Sequence, residues 1–114
     1  MGFNSDGEVY VDVDDALKRI GGNMDLYKRL LGRFVDGNDM DAMEATIKSG
    51  NVEEAARLAH TLKGVSSNLS LTKVAAASIE LESSLKSGGD YPAVFEELKQ
   101  AFDITKAKIA EMLS

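Results

Sequence analysis

Cysteine is absent from the 114 residues, and histidine and proline occur once each. Without cysteine the chain has no disulfides, thiolate metal sites or thiol nucleophiles, and it suits a reducing compartment. A single proline leaves room for long uninterrupted helices. Positive charge is scarce: 13 Lys and Arg against 19 Asp and Glu give a net charge of −6 and a pI near 4.7. A face that grips nucleic acid through its phosphates is basic, so no nucleic-acid partner is expected. No apolar run approaches the roughly 20 residues of a membrane span. Met1–Asp12 has neither the basic start nor the apolar centre of a signal peptide. These absences favour a cytoplasmic protein without membrane insertion. Against them stands a hydrophobic content of 44%, enough to argue for a folded chain of one domain.

Breakers divide the chain at regular places. Residues 1–11, with Gly2, Asn4, Ser5, Asp6 and Gly7, read as a flexible lead-in, and 12–114 as one helical bundle. Asp12 can cap a short first helix that Gly21 and Gly22 end. Asn23 caps a longer segment with Leu26, Leu30, Phe34, Met40, Met43 and Ile47 mostly three or four apart. Gly37-Asn38 is either a break in it or a weak point tolerated at about 1 kcal/mol. Asn51 with Glu54 resembles a capping box for a helix to about Leu69. Ser70-Leu71-Thr72 offers a turn and a new cap, and Val74, Ser78, Leu81 and Leu85 form the next stripe. Ser87-Gly88-Gly89 stops that helix, and Asp90 with Pro92 opens the last one. Val9-Tyr10-Val11 is too short and isolated for a sheet. The expectation is an all-α fold, an antiparallel four-helix bundle with a short extra N-terminal helix.

The sharpest feature runs from Arg57 to Leu69. At about 100° per residue, Leu58, Leu62, Val65 and Leu69 lie about 140–180° from His60, with Ala55, Ala59 and Ser66 on the flanks. The lone histidine therefore faces away from the expected core seam. Its neighbours at i−4, i+4 and i+7 are Ala56, Gly64 and Ser67, all small. Arg57 and Lys63 stand at i−3 and i+3. Gly64 costs about 1 kcal/mol in mid-helix relative to alanine; close approach of another molecule is a reason to accept it. Arg57 through Lys73 holds three basic residues and no acidic one. That stretch suits an anion or the acidic pocket of a partner, and its charges favour a neutral, nucleophilic imidazole.

The run Ala59-His60-Thr61-Leu62-Lys63-Gly64, continued by Val65-Ser66-Ser67-Asn68-Leu69, resembles the histidine-containing phosphotransfer (HPt) family of two-component phosphorelays. Ile79-Glu80-Leu81-Glu82 downstream is similar to the family's next helix. Ile20-Gly21-Gly22-Asn23 with Leu30-Leu31 and Phe34 is similar to its opening, so the likeness covers about residues 10–113. One departure is Ser70, where the family often has glycine after the histidine helix. The resemblance implies a carrier that takes a phosphoryl group from a receiver-domain phospho-aspartate and passes it to another receiver. It implies phosphorylation of His60 at Nε2, Lys63 at the phosphoryl oxygens or the receiver, and clearance at Gly64. Arg57, Ala56 and Ser67 complete the expected phosphoryl and partner surface.

No nucleotide loop or kinase signature is present, so the chain is expected to be a monomeric phosphocarrier rather than an enzyme, without cofactor or metal. Mg²⁺ is expected on the partner receiver domain. Partners are receiver domains and possibly a hybrid sensor histidine kinase. Docking is expected on the histidine helix and the Asn23–Ile47 segment, where the pattern leaves open which of Leu31, Phe34 and Val35 faces outward. Two other readings stand beside this one: a histidine-bearing substrate domain of a chemotaxis-type kinase, and a helical adaptor in which His60 carries no phosphoryl group. A metal or haem bundle needs several ligands from facing helices, which one histidine does not supply.

Overall fold

Asx side chains open most of the helices, and glycines in the left-handed region close several. In the computed structural model, which describes residues 9–114, the elements are α1 (Val13–Arg19), α2 (Met24–Gly37), α3 (Met40–Lys48), α4 (Val52–Asn68), α5 (Thr72–Ser87) and α6 (Tyr91–Leu113). Asp12, Asn23, Asp39, Asn51 and Asp90 each accept a backbone N–H from the first turn of the helix they precede. Gly88, at φ 77°, supplies the left-handed cap that ends α5. The fold is all-α, with no strand among the described residues.

Gly37-Asn38 is a true break. Asn38 leaves the helical region, its side chain donates back to the Phe34 carbonyl, and Asp39 caps a new helix. The expected long second helix is thus two, α2 and α3. The α4–α5 pair is antiparallel: Val52 at the start of α4 shares a hollow with Leu85 and Lys86 near the end of α5. α6 packs on the other side of α5, and α2 and α3 close against α6.

The face that α4 buries differs from the leucine stripe. Ala55, Ala59, Leu62, Ser66 and Leu69 are buried, Leu58 is only partly covered, and Val65 is 39% exposed. Small residues let α5 approach closely, so the seam centres on Ala55, Ala59 and Ser66 rather than on the bulkier side chains. The Ser66 hydroxyl is satisfied within the helix by the Leu62 carbonyl at 2.6 Å. The same rotation buries Ala56 at 8% exposure.

The lead-in also differs from its reading. Residues 1–8 lie outside the described residues, but Tyr10 and Val11 are buried core members. Both consecutive side chains pack against the bundle, and Lys108 lies 5.5 Å above the Tyr10 ring. This segment straps the α4–α5 turn. The Asp12 N–H donates to the Ser70 carbonyl at 2.9 Å, and the Thr72 hydroxyl donates to the Val9 carbonyl. Thr72 is therefore the first residue of α5 and not its cap; Leu71 occupies the cap position without a side-chain bond. Tyr27 adds a tie from α2, its hydroxyl donating to the Leu69 carbonyl at 2.7 Å. Burial pushes the Tyr27 phenol well above its ordinary range, so it remains a donor.

Ser70 explains its own departure from glycine. Its φ of 57° lies in the left-handed region, which costs a residue with a side chain roughly 1–2 kcal/mol. Its hydroxyl offsets that by donating to Asp15 Oδ2 at 2.6 Å. The Ser70 hydroxyl first, and then Arg19, hold the Asp15 carboxyl below the usual carboxylate range. A carboxyl lowered in the folded state stabilises above its unfolded pKa of about 4 and loses that contribution as pH falls through the lowered value. Ser70→Ala keeps the strained backbone and loses the bond, so it is expected to lower the urea midpoint at neutral pH. The gap between the two proteins is expected to shrink as pH falls below about 4. Urea titrations across that range check both statements.

Candidate functional site

His60 projects from the solvent side of α4 with 61% of its side chain exposed. The outward direction read from the sequence holds, although the buried face is centred on different residues. The neighbour that defines the imidazole's chemistry comes from α5. Nδ1 lies 3.1 Å and 3.3 Å from the two oxygens of Glu82. An ionised carboxylate only accepts hydrogen bonds, so the proton belongs on Nδ1 and is shared between both oxygens. Nε2 is then left with its lone pair, facing away from Glu82.

Glu82 is held in turn. It is only 14% exposed, and Lys86, one turn further along α5, reaches its Oε2 at 2.9 Å. Lys86 first, and His60 more weakly, keep the Glu82 carboxyl below its ordinary range against the opposing effect of burial. Glu82 is thus an anion at neutral pH. The chain Lys86–Glu82–His60 fixes ring orientation and tautomer, and it places a negative charge where positive charge develops when Nε2 forms a bond.

The basic surroundings expected from Arg57 and Lys63 need correction. Arg57 is turned onto Glu54 of its own helix, at 2.7 Å and 2.6 Å in a two-point contact. That pairing raises the guanidinium's pKa and lowers that of the carboxyl. The charge of Arg57 is balanced locally, because Glu54 sits at i−3 and the fork matches the carboxylate. Lys63 has no carboxylate partner among the described residues and is half-buried. Gly64 and Ser67 are exposed. A Cβ built on Gly64 meets nothing within 4 Å, so tight helix packing does not account for this glycine. Ala56 lies beside the histidine but belongs to the core edge.

Next to the imidazole, α4 and α5 leave a surface hollow of about 590 Å³. Val52, Ala56 and Leu85 form its apolar floor, and Glu53, Arg57, His60, Glu82 and Lys86 complete its lining. A second apolar hollow, between α2 and α4, is lined by Leu30, Phe34 and Val65 but does not reach His60. Of the residues considered as outward anchors, Leu31 and Phe34 are buried and Val35 is half-buried. The helix that reaches the His60 ring is α5, through Glu82.

Glu82 and Lys86 went unassigned in the sequence, although Glu82 lies in a run already noted. The usable signal was the α5 stripe of Val74, Ser78, Leu81 and Leu85, which puts Glu82 next to the seam and Lys86 one turn beyond. No group of three or more His, Asp or Glu able to hold a metal is found among the described residues. No helix there is long and apolar enough to cross a membrane.

The geometry is that of an exposed histidine on a helical bundle, oriented by a carboxylate of the neighbouring helix. Residues 29–108 match the Hpt domain family, a span from within α2 through most of α6 that includes His60. The chain belongs to the Hpt domain family, whose members are phosphocarriers of two-component phosphorelays. No curated protein and no solved structure matches the chain.

The tautomer is directly measurable. In ¹⁵N-detected spectra at mildly alkaline pH, the His60 ring is expected to show a protonated Nδ1 and a bare Nε2. Glu82→Ala is expected to shift the ring toward the Nε2–H form, because the acceptor that selects Nδ1–H is gone.

Proposed function

We propose that the protein carries a phosphoryl group on Nε2 of His60, accepting it from the phospho-aspartate of one receiver domain and passing it to the aspartate of another. The observation that carries this reading is the Glu82–Nδ1 contact at 3.1 Å, which leaves Nε2 as the free nucleophile on an exposed ring. In the forward step the Nε2 lone pair attacks phosphorus, an N–P bond forms, and the acyl phosphate P–O bond breaks. The electron pair of that bond leaves with the receiver's carboxylate. The ring gains positive charge while keeping its Nδ1 proton, and the Glu82 carboxylate stabilises it. In the reverse sense the same charged ring is a good leaving group, so one arrangement serves uptake and delivery.

The receiver supplies Mg²⁺ and the acidic pocket, and this chain supplies the nucleophile and its orientation. Gly64, with open space above its Cα, gives the receiver loops clearance one turn past His60. Lys63, without a carboxylate partner among the described residues, is a cation available to the incoming phosphoryl oxygens. Ser67 extends the small, exposed strip beyond Gly64. Arg57, tied to Glu54, has a rim role rather than direct phosphate binding. The protein acts in the cytoplasm as a monomeric carrier.

Incubation with a panel of phosphorylated receiver domains tests this. Acid-labile phosphate is expected on the unchanged protein and none on His60→Gln. Glu82→Ala is expected to take up phosphate slower by roughly tenfold or more, since it loses the group that orients the ring and stabilises its charge. No labelling of the unchanged protein by any receiver, or equal labelling of His60→Gln, contradicts the reading.

A further inference from the structure

One oxygen of Glu82 serves two donors. Oε2 accepts from the Lys86 ammonium at 2.9 Å and from Nδ1 of the His60 ring at 3.1 Å. While the ring is neutral, Lys86 is the positive charge that balances this carboxylate, which is only 14% exposed and needs a counter-ion. A phosphoryl group on Nε2 rearranges these charges. It brings a charge of about −2 at neutral pH. The ring, keeping its Nδ1 proton, becomes a cation already in contact with Glu82. The carboxylate then has a counter-ion of its own and no longer depends on the ammonium. Lys86 and His60 line the same hollow, so ammonium and ring share one opening to solvent.

We propose that Lys86 changes partners when His60 is loaded: its ammonium leaves Glu82 Oε2 for the phosphoryl oxygens, and the charged ring takes its place as the counter-ion of Glu82. This rests on the phosphocarrier reading. No covalent bond is made or broken in the exchange; one ionic hydrogen bond replaces another. The charged side chains around the ring are Glu53, Arg57 and Lys63 from α4 and Glu82 and Lys86 from α5. Glu53 has no partner among the described residues and repels a phosphoryl group, so a cation has to offset it. Arg57 is held in a two-point contact by Glu54, and Lys63 lies outside the lining of the hollow. Lys86 is held by one contact, with 66% of its side chain exposed. An ion pair with so open an end is weak enough to exchange, and an ammonium on a flexible stem re-aims more readily than a guanidinium in a fixed fork.

The sign of one equilibrium separates exchange from its absence. If the ammonium stays on Glu82 beside a ring that has become cationic, removing it relieves repulsion and favours the loaded state. If it moves to the phosphoryl oxygens, removing it disfavours the loaded state. Phosphoramidate loads His60 without a receiver: its P–N bond breaks, ammonia leaves, and the phosphoryl group passes to Nε2. The loaded protein is mixed, dilute and in mildly alkaline buffer, with the receiver domain that labels it fastest, and the final division of phosphate between the two is measured. Complexes are sparse at that dilution, so docking does not enter the ratio. Lys86→Met is expected to move the division toward the receiver by at least about twofold. Lys73→Met, which removes an exposed lysine of the same helix outside the hollow, is expected to leave it in place. In the loaded protein without substitution, a ¹H–³¹P Overhauser contact is expected between the Lys86 Cε protons and phosphorus, a result that does not depend on any variant folding. An unchanged division in Lys86→Met, a shift toward His60, or an equal shift in Lys73→Met overturns the proposal and leaves the carrier reading standing, as does a missing Overhauser contact. If phosphoramidate loads His60 but no receiver exchanges phosphate with it, the carrier reading fails and the Overhauser contact alone decides the exchange; if nothing loads His60, both fail.

Discussion

The close approach of α4 to α5 is the constraint on which the site depends. Ala55, Ala59 and Ser66 present almost no side-chain bulk at the seam, and Leu81 and Leu85 of α5 are buried beside them. At that separation Glu82 meets Nδ1 of His60 across the helix pair. Ala59 is fully buried, so a larger residue there would force its neighbours apart. Helix packing here is therefore also electrostatic preorganisation: the carboxylate is positioned before any partner arrives, and Lys86 keeps it ionised.

The far end of the pair is secured separately. The α4–α5 turn is held from three sides: by the strap through Asp12 and Val9, by the Ser70–Asp15 bond, and by the Tyr27 hydroxyl on the Leu69 carbonyl. None of these groups is near His60 in sequence or belongs to its hollow. Their effect is to fix where α5 begins and hence which residue falls opposite His60 nearly three turns later. A serine in a left-handed turn is tolerated because its hydroxyl gains a partner that glycine lacks.

Much of this was legible from local pattern. Asx residues before apolar runs located four helix starts, Gly-rich stops located several ends, and the small strip of Gly64 and Ser67 located the outward face of α4. What failed was what local pattern does not encode. The leucine stripe pointed at Leu58 and Val65, but burial follows the contact distance between two helices, and the small residues set that distance. The basic reading of Arg57 failed because its partner, Glu54, lies upstream of the stretch that was counted. The α5 stripe puts Glu82 and Lys86 beside the seam, but their meeting with His60 depends on the rotation of α5 relative to α4, which the stripe alone does not give. The core role of Tyr10 and Val11 was hidden because two apolar residues in a polar lead-in carry no periodicity.

Physical features take the account to an oriented, exposed imidazole; membership of the Hpt domain family makes that imidazole the natural carrier. The two meet at one atom, Nε2. The most direct measurement is the position of the phosphoryl group after incubation with phosphorylated receivers, read by ³¹P–¹⁵N correlation in ¹⁵N-labelled protein. The account predicts a single phosphorylated species with phosphorus bonded to Nε2 of His60 and the proton retained on Nδ1. Phosphorus on Nδ1, or on any residue other than His60, would contradict it.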